Sequence, residues 1–394
     1  MNRWGILAIL FTVRAVMGFQ FQAIASVSTF LVDDLGIEFA EIGILVGLYL
    51  LPGIVLAYPS GALAKRFGDR RIVWVGLALM ALGGVIVGLG QGYATVMIGR
   101  ILCGSGAVLL NVLLAKMLID WFAGREVIVA MAILVNSWPF GIALGLISQG
   151  WIGENWSWPI VQYVAAGLAM AGLLLMVTLY RVPPKAGADS PGAGKPTRLS
   201  PIEISLVSLA GLIWCLFNVA LIVVISFAPN LLQANGIALG EAAILVSVGT
   251  WIGIATIPIG GYLAQRFQAP NLVMVVCLLA AVLAIVWISG SLWPLAPFIL
   301  FGIFAWAPAG PIMALPAEVL RPDNRGPGMG VFFSWYYIGM GLLPAAAGWS
   351  YDISGDTAVP LYFAAGAMII CIPLLGAFRL LKARSQSSEY RQAT

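Results

Sequence analysis

The sequence contains no histidine and few charged residues of any kind. Without histidine, a zinc site lacks its commonest nitrogen ligand, and a proton relay lacks the side chain that titrates near neutral pH. A Ser-His-Asp catalytic set is excluded for the same reason. Only 9% of the residues are charged, against about 25% in soluble globular domains. The chain therefore lacks the polar surface of a soluble enzyme.

Cysteine is also scarce. Four cysteines lie inside apolar runs, and no two have the spacing of metal ligands or of a redox pair: Cys103, Cys215, Cys277 and Cys371. We interpret them as small packing residues. There is no Walker loop to hold ATP. The sequence predicts no metal and no cofactor, and any transport activity would be driven by a gradient or by exchange.

Apolar residues, in contrast, make up 61% of the 394 positions. A soluble core stops growing at about 250–300 residues, so lipid is the solvent that suits this chain. A membrane span needs about 20 mostly apolar residues. Such runs lie at 5–31, 40–63, 70–90, 95–121, 127–152, 159–181, 204–230, 241–264, 270–290, 294–319, 327–351 and 358–381. The sequence predicts an all-α integral membrane protein with twelve transmembrane helices.

One connection between these runs has a different composition. Residues 182–201 are rich in Pro, Gly and Ala with mixed charge, which is typical of a flexible linker. This predicts an N-terminal six-helix bundle at 1–181, a cytoplasmic linker at 182–201, and a C-terminal six-helix bundle with a short cytoplasmic tail at 202–394.

Lysine and arginine segregate to alternate loops. One side holds Arg3, Lys65, Arg66, Arg70, Arg71, Arg125, Arg181, Lys185, Lys195, Arg198, Arg266, Arg321, Arg325, Arg379, Lys382, Arg384 and Arg391. The opposite loops hold acidic residues without any Lys or Arg: Asp33, Asp34, Glu38, Glu41, Glu154, Glu241, Asp352 and Asp356. Basic loops mark the cytoplasmic side. We expect both termini to be cytoplasmic in a bacterial inner (plasma) membrane, and the basic residues require no nucleic-acid partner.

The chain also repeats itself. Gly61-Ala-Leu-Ala-Lys-Arg-Phe67 returns as Gly261-Tyr-Leu-Ala-Gln-Arg-Phe267, an offset of 200 residues. Arg125 and Arg325 are related by the same offset. The repeat predicts two homologous six-helix halves, a plan in which the substrate site lies at mid-membrane between the halves.

These features resemble the major facilitator superfamily over the whole chain. Its loop signature, G-x-L-a-D-r-x-G-r-r, is matched by Gly61, Leu63, Arg66, Gly68, Arg70 and Arg71. Lys65 stands where the family usually has Asp, and Asp69 where it often has Arg. The resemblance implies a gating role for this loop and for its repeat at Gly261 and Arg266, with rewired ion pairs.

A second resemblance lies in the fourth run, where Arg100 is followed by Gly104 and Gly106. Arg100 is predicted near the periplasmic mouth, either as a group that steers anions inward or as a structural arginine of this family motif. The fifth run resembles the Gly-Pro antiporter motif only weakly, because Trp138 replaces the glycine that precedes the proline of that motif. The sequences of the second, fourth, tenth and eleventh runs also resemble those of the bacterial cyanate and nitrate porters.

Arg14 is the first candidate for substrate binding. It lies about ten residues into the first run, roughly 15 Å from the end at 1.5 Å per residue, and no acidic residue lies at similar depth in any run. A charge at mid-bilayer is costly, and arginine keeps its proton. A substrate anion is the expected partner. The alternatives are bonds to backbone carbonyls and snorkelling.

The resemblance implies that the first, fourth, seventh and tenth spans line a cavity. Near their midpoints they carry Arg14, Asn111, Asn218 and Trp306. Further candidates share Arg14's helix face or are aromatic: Met17, Gly18, Phe21, Gln22, Trp214, Trp335 and Tyr336. Each asparagine could instead bridge helices, and each aromatic could be packing. Lys116 is four residues before Asp120, which predicts an ion pair along one helix, with a lesser anion contact as the alternative role of Lys116.

The sequence therefore predicts a secondary transporter that moves a small organic or inorganic anion by alternating access. The expected partners are the substrate, the lipid bilayer and a co-transported proton, with uniport and exchange left open and a monomer as the functional form. The first alternative is an exporter of amphipathic drugs or metabolites. A membrane sensor would need a larger soluble domain, and the repeated loop argues against a channel.

Overall fold

The structure is a computed structural model that describes residues 2–122, 126–182, 199–291 and 293–393. Over these residues the chain is all-helical, as predicted. Arg125 and most of the predicted linker, residues 183–198, lie outside the described residues. The match of Arg125 to Arg325 therefore stays a prediction from the sequence.

The α-helices run in chain order as α1 Arg3–Gln22, α2 Ser28–Leu35, α3 Phe39–Gly47, α4 Pro52–Phe67, α5 Asp69–Gly88, α6 Tyr93–Phe122, α7 Val127–Asn155, α8 Trp158–Thr178, α9 Pro201–Ala234, α10 Leu239–Arg266, α11 Pro270–Gly290, α12 Leu295–Ala305, α13 Ala309–Ala314, α14 Arg325–Ser354 and α15 Val359–Ala393. Short 3-10 turns lie at Ala25–Val27, Leu315–Glu318 and Pro322–Asn324.

These helices make twelve segments that are long and apolar enough to cross a membrane. The segments begin and end within several residues of the predicted runs, from Arg3–Leu35 at one end of the chain to Val359–Ser385 at the other. Apolar side chains that face lipid need no polar partner, whereas every backbone group must be bonded within the span. Helix is the form that meets both conditions, and the predicted number of spans is confirmed.

Three spans are not continuous helices, although the sequence predicts each as one. The first is interrupted between α1 and α2, the second between α3 and α4, and the tenth between α12 and α13. Pro52 and Pro308 lie at two of the interruptions, where proline removes a backbone donor. The first interruption, at residues 23–27, contains no proline, and side chains from other helices bond its carbonyls, as described below.

The chain packs as two compact units. The first comprises Met1–Arg125, Asn136–Ser200 and Leu320–Ser334, and the second comprises Glu126–Val135, Pro201–Val319 and Trp335–Thr394. One end of α7 thus packs in the second unit, and the beginning of α14 packs in the first. The predicted bundles at 1–181 and 202–394 stay a prediction.

Candidate ligand site and gating contacts

Arg14 is a buried cation in α1, with 5% of its surface exposed. Its Nε and Nη2 donate to Oδ1 of Asn111 on α6, at 3.3 and 3.1 Å. Its Nη1 donates to Oγ of Ser137 on α7, at 3.5 Å. An amide and a hydroxyl orient the guanidinium. The first unit therefore holds a buried, oriented arginine about halfway along α1.

Of these partners, the sequence indicated Asn111 but not Ser137. Asn136 and Ser137 are a polar pair inside the apolar fifth run, which the sequence analysis treated only as part of a weak motif. A polar pair at mid-span is costly in lipid unless it meets a polar partner. That signal was available in the sequence, whereas the direction of the side chain was not.

An aromatic cluster of the first unit lies farther along α1 from Arg14. The ring centroid of Phe21 lies 5.3 Å from Trp138 and 5.6 Å from Tyr49, which are 6.5 Å apart. The Tyr49 hydroxyl donates to the Met17 carbonyl at 3.1 Å. Phe21 and Trp138 are half-buried, whereas Met17 is fully buried. The cluster presents apolar surface on the helix face that also carries Arg14.

Two other candidates on α1 have protein contacts of their own. A Cβ added at Gly18 would lie 2.4 Å from the carbonyl oxygen of Trp138, so this glycine lets α7 approach α1 closely. The sequence predicts Gly18 as a substrate-binding candidate on the face of α1 that carries Arg14. The Gln22 amide donates to Oγ of Ser26 at 3.2 Å, across the interruption of the first span.

The candidates of the second unit include a second aromatic cluster. Trp214 on α9 has its ring centroid 5.7 Å from Phe217 and 6.4 Å from Tyr336 on α14. Asn218 donates its amide to the Trp214 carbonyl at 2.7 Å, one turn back along the same helix. Trp335 is half-buried. The polar end of Asn218 thus bonds its own helix.

Trp306 lies at the interruption of the tenth span, between α12 and α13. Its indole covers Gly253 of α10 so closely that a Cβ there would lie 2.3 Å from the ring. A discontinuous span is a common marker of a transporter's binding region. The candidates of the two units are described separately, and the single central site stays a prediction.

A chain of alternating charges joins three elements of the first unit. Lys116 on α6 pairs with Asp69 at the start of α5 and, at 2.8 Å, with Asp120. Asp120 also binds Arg325 at the start of α14, at 2.8 Å. The predicted pair of Lys116 with Asp120 is confirmed. Asp69, the acidic residue that stands where the family often has Arg, also forms an ion pair with Lys116.

The two copies of the repeated loop make comparable helix contacts. A Cβ at Gly61 on α4 would lie 2.1 Å from the Gly326 carbonyl oxygen at the start of α14. A Cβ at Gly261 on α10 would lie 2.4 Å from the Cβ of Ala132 on α7. Each glycine therefore admits close approach of another helix beside the basic loops. Gly68 has a φ of 87°, which permits the turn between α4 and α5.

Arg100 on α6 is fully buried and bonds backbone carbonyls. Its Nε donates to Leu45 at 3.0 Å, its Nη1 to Gln20 at 3.1 Å and its Nη2 to Phe21 at 3.3 Å. The guanidinium also lies 4.7 Å from the centroid of the Tyr49 ring. These partners lie beside the interruptions of the first and second spans. Of the two alternatives from the sequence, the contacts favour the structural arginine.

Two glutamines complete the bonding of the first interruption. Gln149 donates to the Phe19 carbonyl at 2.7 Å, and Gln162 donates to the Ala23 carbonyl at 2.9 Å. Both side chains are buried. The first span can depart from helical geometry here because side chains replace the backbone bonds that it loses.

A second ion-pair group was not predicted from the sequence. Arg379 and Lys382 were interpreted there only as basic residues of the cytoplasmic side. Arg379 pairs with Glu318 through two nitrogens and donates from Nε to Asn271 at 2.8 Å. Lys382 also binds Glu318, at 2.6 Å. This group ties α11 and α15 to the end of the tenth span within the second unit.

Comparison with known proteins identifies a family and several relatives of this chain. A family model described as "Major Facilitator Superfamily" matches residues 10–344 and 225–393. The "Acurin A biosynthesis cluster MFS-type transporter" of Aspergillus aculeatus is 32% identical over 149 residues, which are 38% of this chain and 27% of that protein. The "Hexuronate transporter" of Bacillus subtilis is 20% identical over 270 residues, 66% of this chain and 64% of that protein.

The chain thus spans less than two thirds of the length of both relatives. Among solved structures, FucP "in the outward conformation" superimposes with a TM-score of 0.76 at 16% identity, covering 95% of this chain and 99% of that one. At that identity the likeness shows the fold alone. Because the family model matches most of the chain, this multi-pass membrane protein belongs to the major facilitator superfamily, a family of transporters and not of enzymes.

Proposed function

We propose that this chain is a secondary active transporter that moves a small anion across the bacterial inner membrane by alternating access. The observation that carries the proposal is the buried guanidinium of Arg14, which donates to Asn111 and Ser137 about halfway along α1. Both partners are neutral acceptors that orient the cation. Burying such a charge is costly, and binding an anion offsets that cost.

The substrate class that suits this surrounding is an organic anion such as a carboxylate. Phe21 lies two turns along α1 from Arg14, its ring centroid is 5.3 Å from that of Trp138, and both side chains are half-buried. Rings of this kind offer apolar surface to the body of an organic substrate. The name of the hexuronate relative also denotes a carboxylate substrate. Inorganic anions would interact with the charge of Arg14 and would make no use of the apolar rings.

In this proposal both termini are cytoplasmic, the linker at 182–201 joins two six-helix bundles, and the protein acts as a monomer. The proposed substrate-binding residues of the second unit are Asn218, Trp214, Trp306, Trp335 and Tyr336. A proton is the proposed coupling ion, and uniport and exchange are its alternatives.

A thermal-unfolding screen of the purified protein against small anions, cations and neutral solutes tests the proposal. We expect organic carboxylates to raise the unfolding temperature and cations to leave it unchanged. Stabilisation by lipophilic cations alone would favour the second candidate, an exporter of amphipathic drugs or metabolites. The clusters around Trp138 and Trp214 are the observation that favours that candidate.

A further inference from the structure

The turn between α4 and α5 carries four basic residues within seven positions, Lys65, Arg66, Arg70 and Arg71. Its repeat after α10 keeps only Arg266, with Gln265, Pro270 and Asn271 at the other three positions. The second copy forms the same close helix contact at its glycine with a single cation. The close helix contact at this glycine therefore does not require the additional positive charges of the first copy.

The one acidic residue of the turn does not neutralise them. Asp69 pairs with Lys116 on α6, and its side chain is 22% exposed. Arg70 is also engaged by protein, because its Nη2 donates to the Val177 carbonyl at 2.7 Å and its guanidinium lies 4.7 Å from the Trp74 ring. Arg66 and Arg71 are exposed and form no ion pair with a carboxylate among the described residues.

Exposed apolar side chains lie on α4 beside Arg66. Phe67, between Arg66 and Arg71 in sequence, is 44% exposed, and its ring lies 5.2 Å from the Arg66 guanidinium. Leu63, one turn earlier on α4, is 38% exposed. Exposed apolar side chains on a spanning helix face acyl chains, and aromatic rings beside cations are typical of the headgroup region. Two exposed cations at one turn are complementary to lipid phosphate.

We propose that Arg66 and Arg71 form a binding site for the headgroup of an anionic phospholipid, with Phe67 lying at the boundary of its acyl chains. The site belongs to the first unit and does not depend on the transported substrate. Orientation of the chain by its basic loops is a separate effect, because it depends on the number of Lys and Arg residues near the span ends, whereas this site requires two particular arginines of the folded protein.

Titration of phosphatidylglycerol into the purified full chain, followed by native mass spectrometry, tests the site. Each arginine near an anionic surface is worth about fivefold in binding, so Arg66→Gln with Arg71→Gln should weaken phosphatidylglycerol binding roughly thirtyfold. Phosphatidylcholine binding should not change. Arg266→Gln is the matched control, because it removes the corresponding arginine of the repeat, and it should keep the affinity of the wild type within about twofold.

Three results would overturn the proposal. They are unchanged phosphatidylglycerol binding in the double variant, an equal loss in Arg266→Gln, and complete displacement of the lipid by inorganic phosphate, which would mark a site for free phosphate. If the double variant cannot be purified, salt provides the second test on the wild type. Exposed charges are screened by salt, so the preference for phosphatidylglycerol should fall as salt rises, and a salt-independent preference would contradict the site.

Discussion

Arg14 donates from both Nε and Nη2 to one acceptor, the Oδ1 of Asn111. A single neutral oxygen thus fixes one edge of a buried guanidinium. The same edge could bind a carboxylate in the same geometry. The residue at position 111 therefore decides whether this edge of Arg14 meets a neutral oxygen or a carboxylate.

Asn111→Asp should abolish anion binding. The substitution keeps the shape of the acceptor and places a negative charge about 3 Å from Arg14, where a buried ion pair forms. The unfolding temperature without ligand should be equal to or above that of the wild type, while the stabilisation by organic carboxylates disappears. Thermal unfolding with and without the anion measures both. Asn155→Asp, at the exposed end of α7, is the control, and an Asn111→Asp protein that is stabilised by anions like the wild type would refute this prediction.

Arg100→Lys should destabilise the protein although it keeps the charge. Lysine cannot reach the carbonyls of Leu45, Gln20 and Phe21 together, so buried acceptors lose their donors, at a cost of roughly 2–5 kcal/mol. Unfolding temperature is the measurement, with Arg71→Lys as the exposed control. If Arg100 instead steers anions, Arg100→Lys would be as stable as the wild type and would keep transport that depends on salt.

Asp120→Asn should loosen the contact between α6 and α14. Asp120 binds both Lys116 and Arg325, and its loss leaves two partly buried cations with one carboxylate fewer, a cost of roughly 1–3 kcal/mol. A lower unfolding temperature would report the change. Asp323→Asn removes an exposed acid nearby. Equal effects of the two substitutions would show that the ion pairs contribute nothing.

Gly61→Ala should disturb the packing of α4 against α14. The added Cβ would lie 2.1 Å from the Gly326 carbonyl oxygen, so the helices must separate, which costs roughly 1–3 kcal/mol. Gly167→Ala on α8 is the control, because no atom lies within 4 Å of its added Cβ. That control should be neutral or stabilise by up to about 1 kcal/mol. A Gly61→Ala protein as stable as the control would contradict the observed contact.

The number and type of spans could be predicted because length, hydropathy and the alternation of basic loops act along the sequence. The interruption at residues 23–27 could not, since no proline or glycine lies within it. The interruption depends on Arg100 of α6, Gln149 of α7 and Gln162 of α8. Their side chains donate to backbone carbonyls of the first span. Such compensation depends on tertiary packing and leaves no local signal.

The candidate site could be predicted from the sequence only in part. A lone arginine in an apolar run marks Arg14, and matching depth marks Asn111, because both follow from position along a helix. Ser137 and Tyr49 depend on helix rotation and on which helices are neighbours, which one sequence does not contain. Gly18 shows the same limit, because the room that it provides is taken by the backbone of Trp138.

Uptake of a stabilising organic anion into proteoliposomes containing Arg14 variants tests the transport proposal most directly. Arg14→Ala removes the cation and should lower uptake at least about tenfold, the loss of one charged hydrogen-bond partner. Arg14→Lys keeps the positive charge but lacks the paired N–H donors of the guanidinium, and it should retain part of the uptake. Wild-type uptake by Arg14→Ala, in protein of unchanged stability, would contradict anion binding by Arg14.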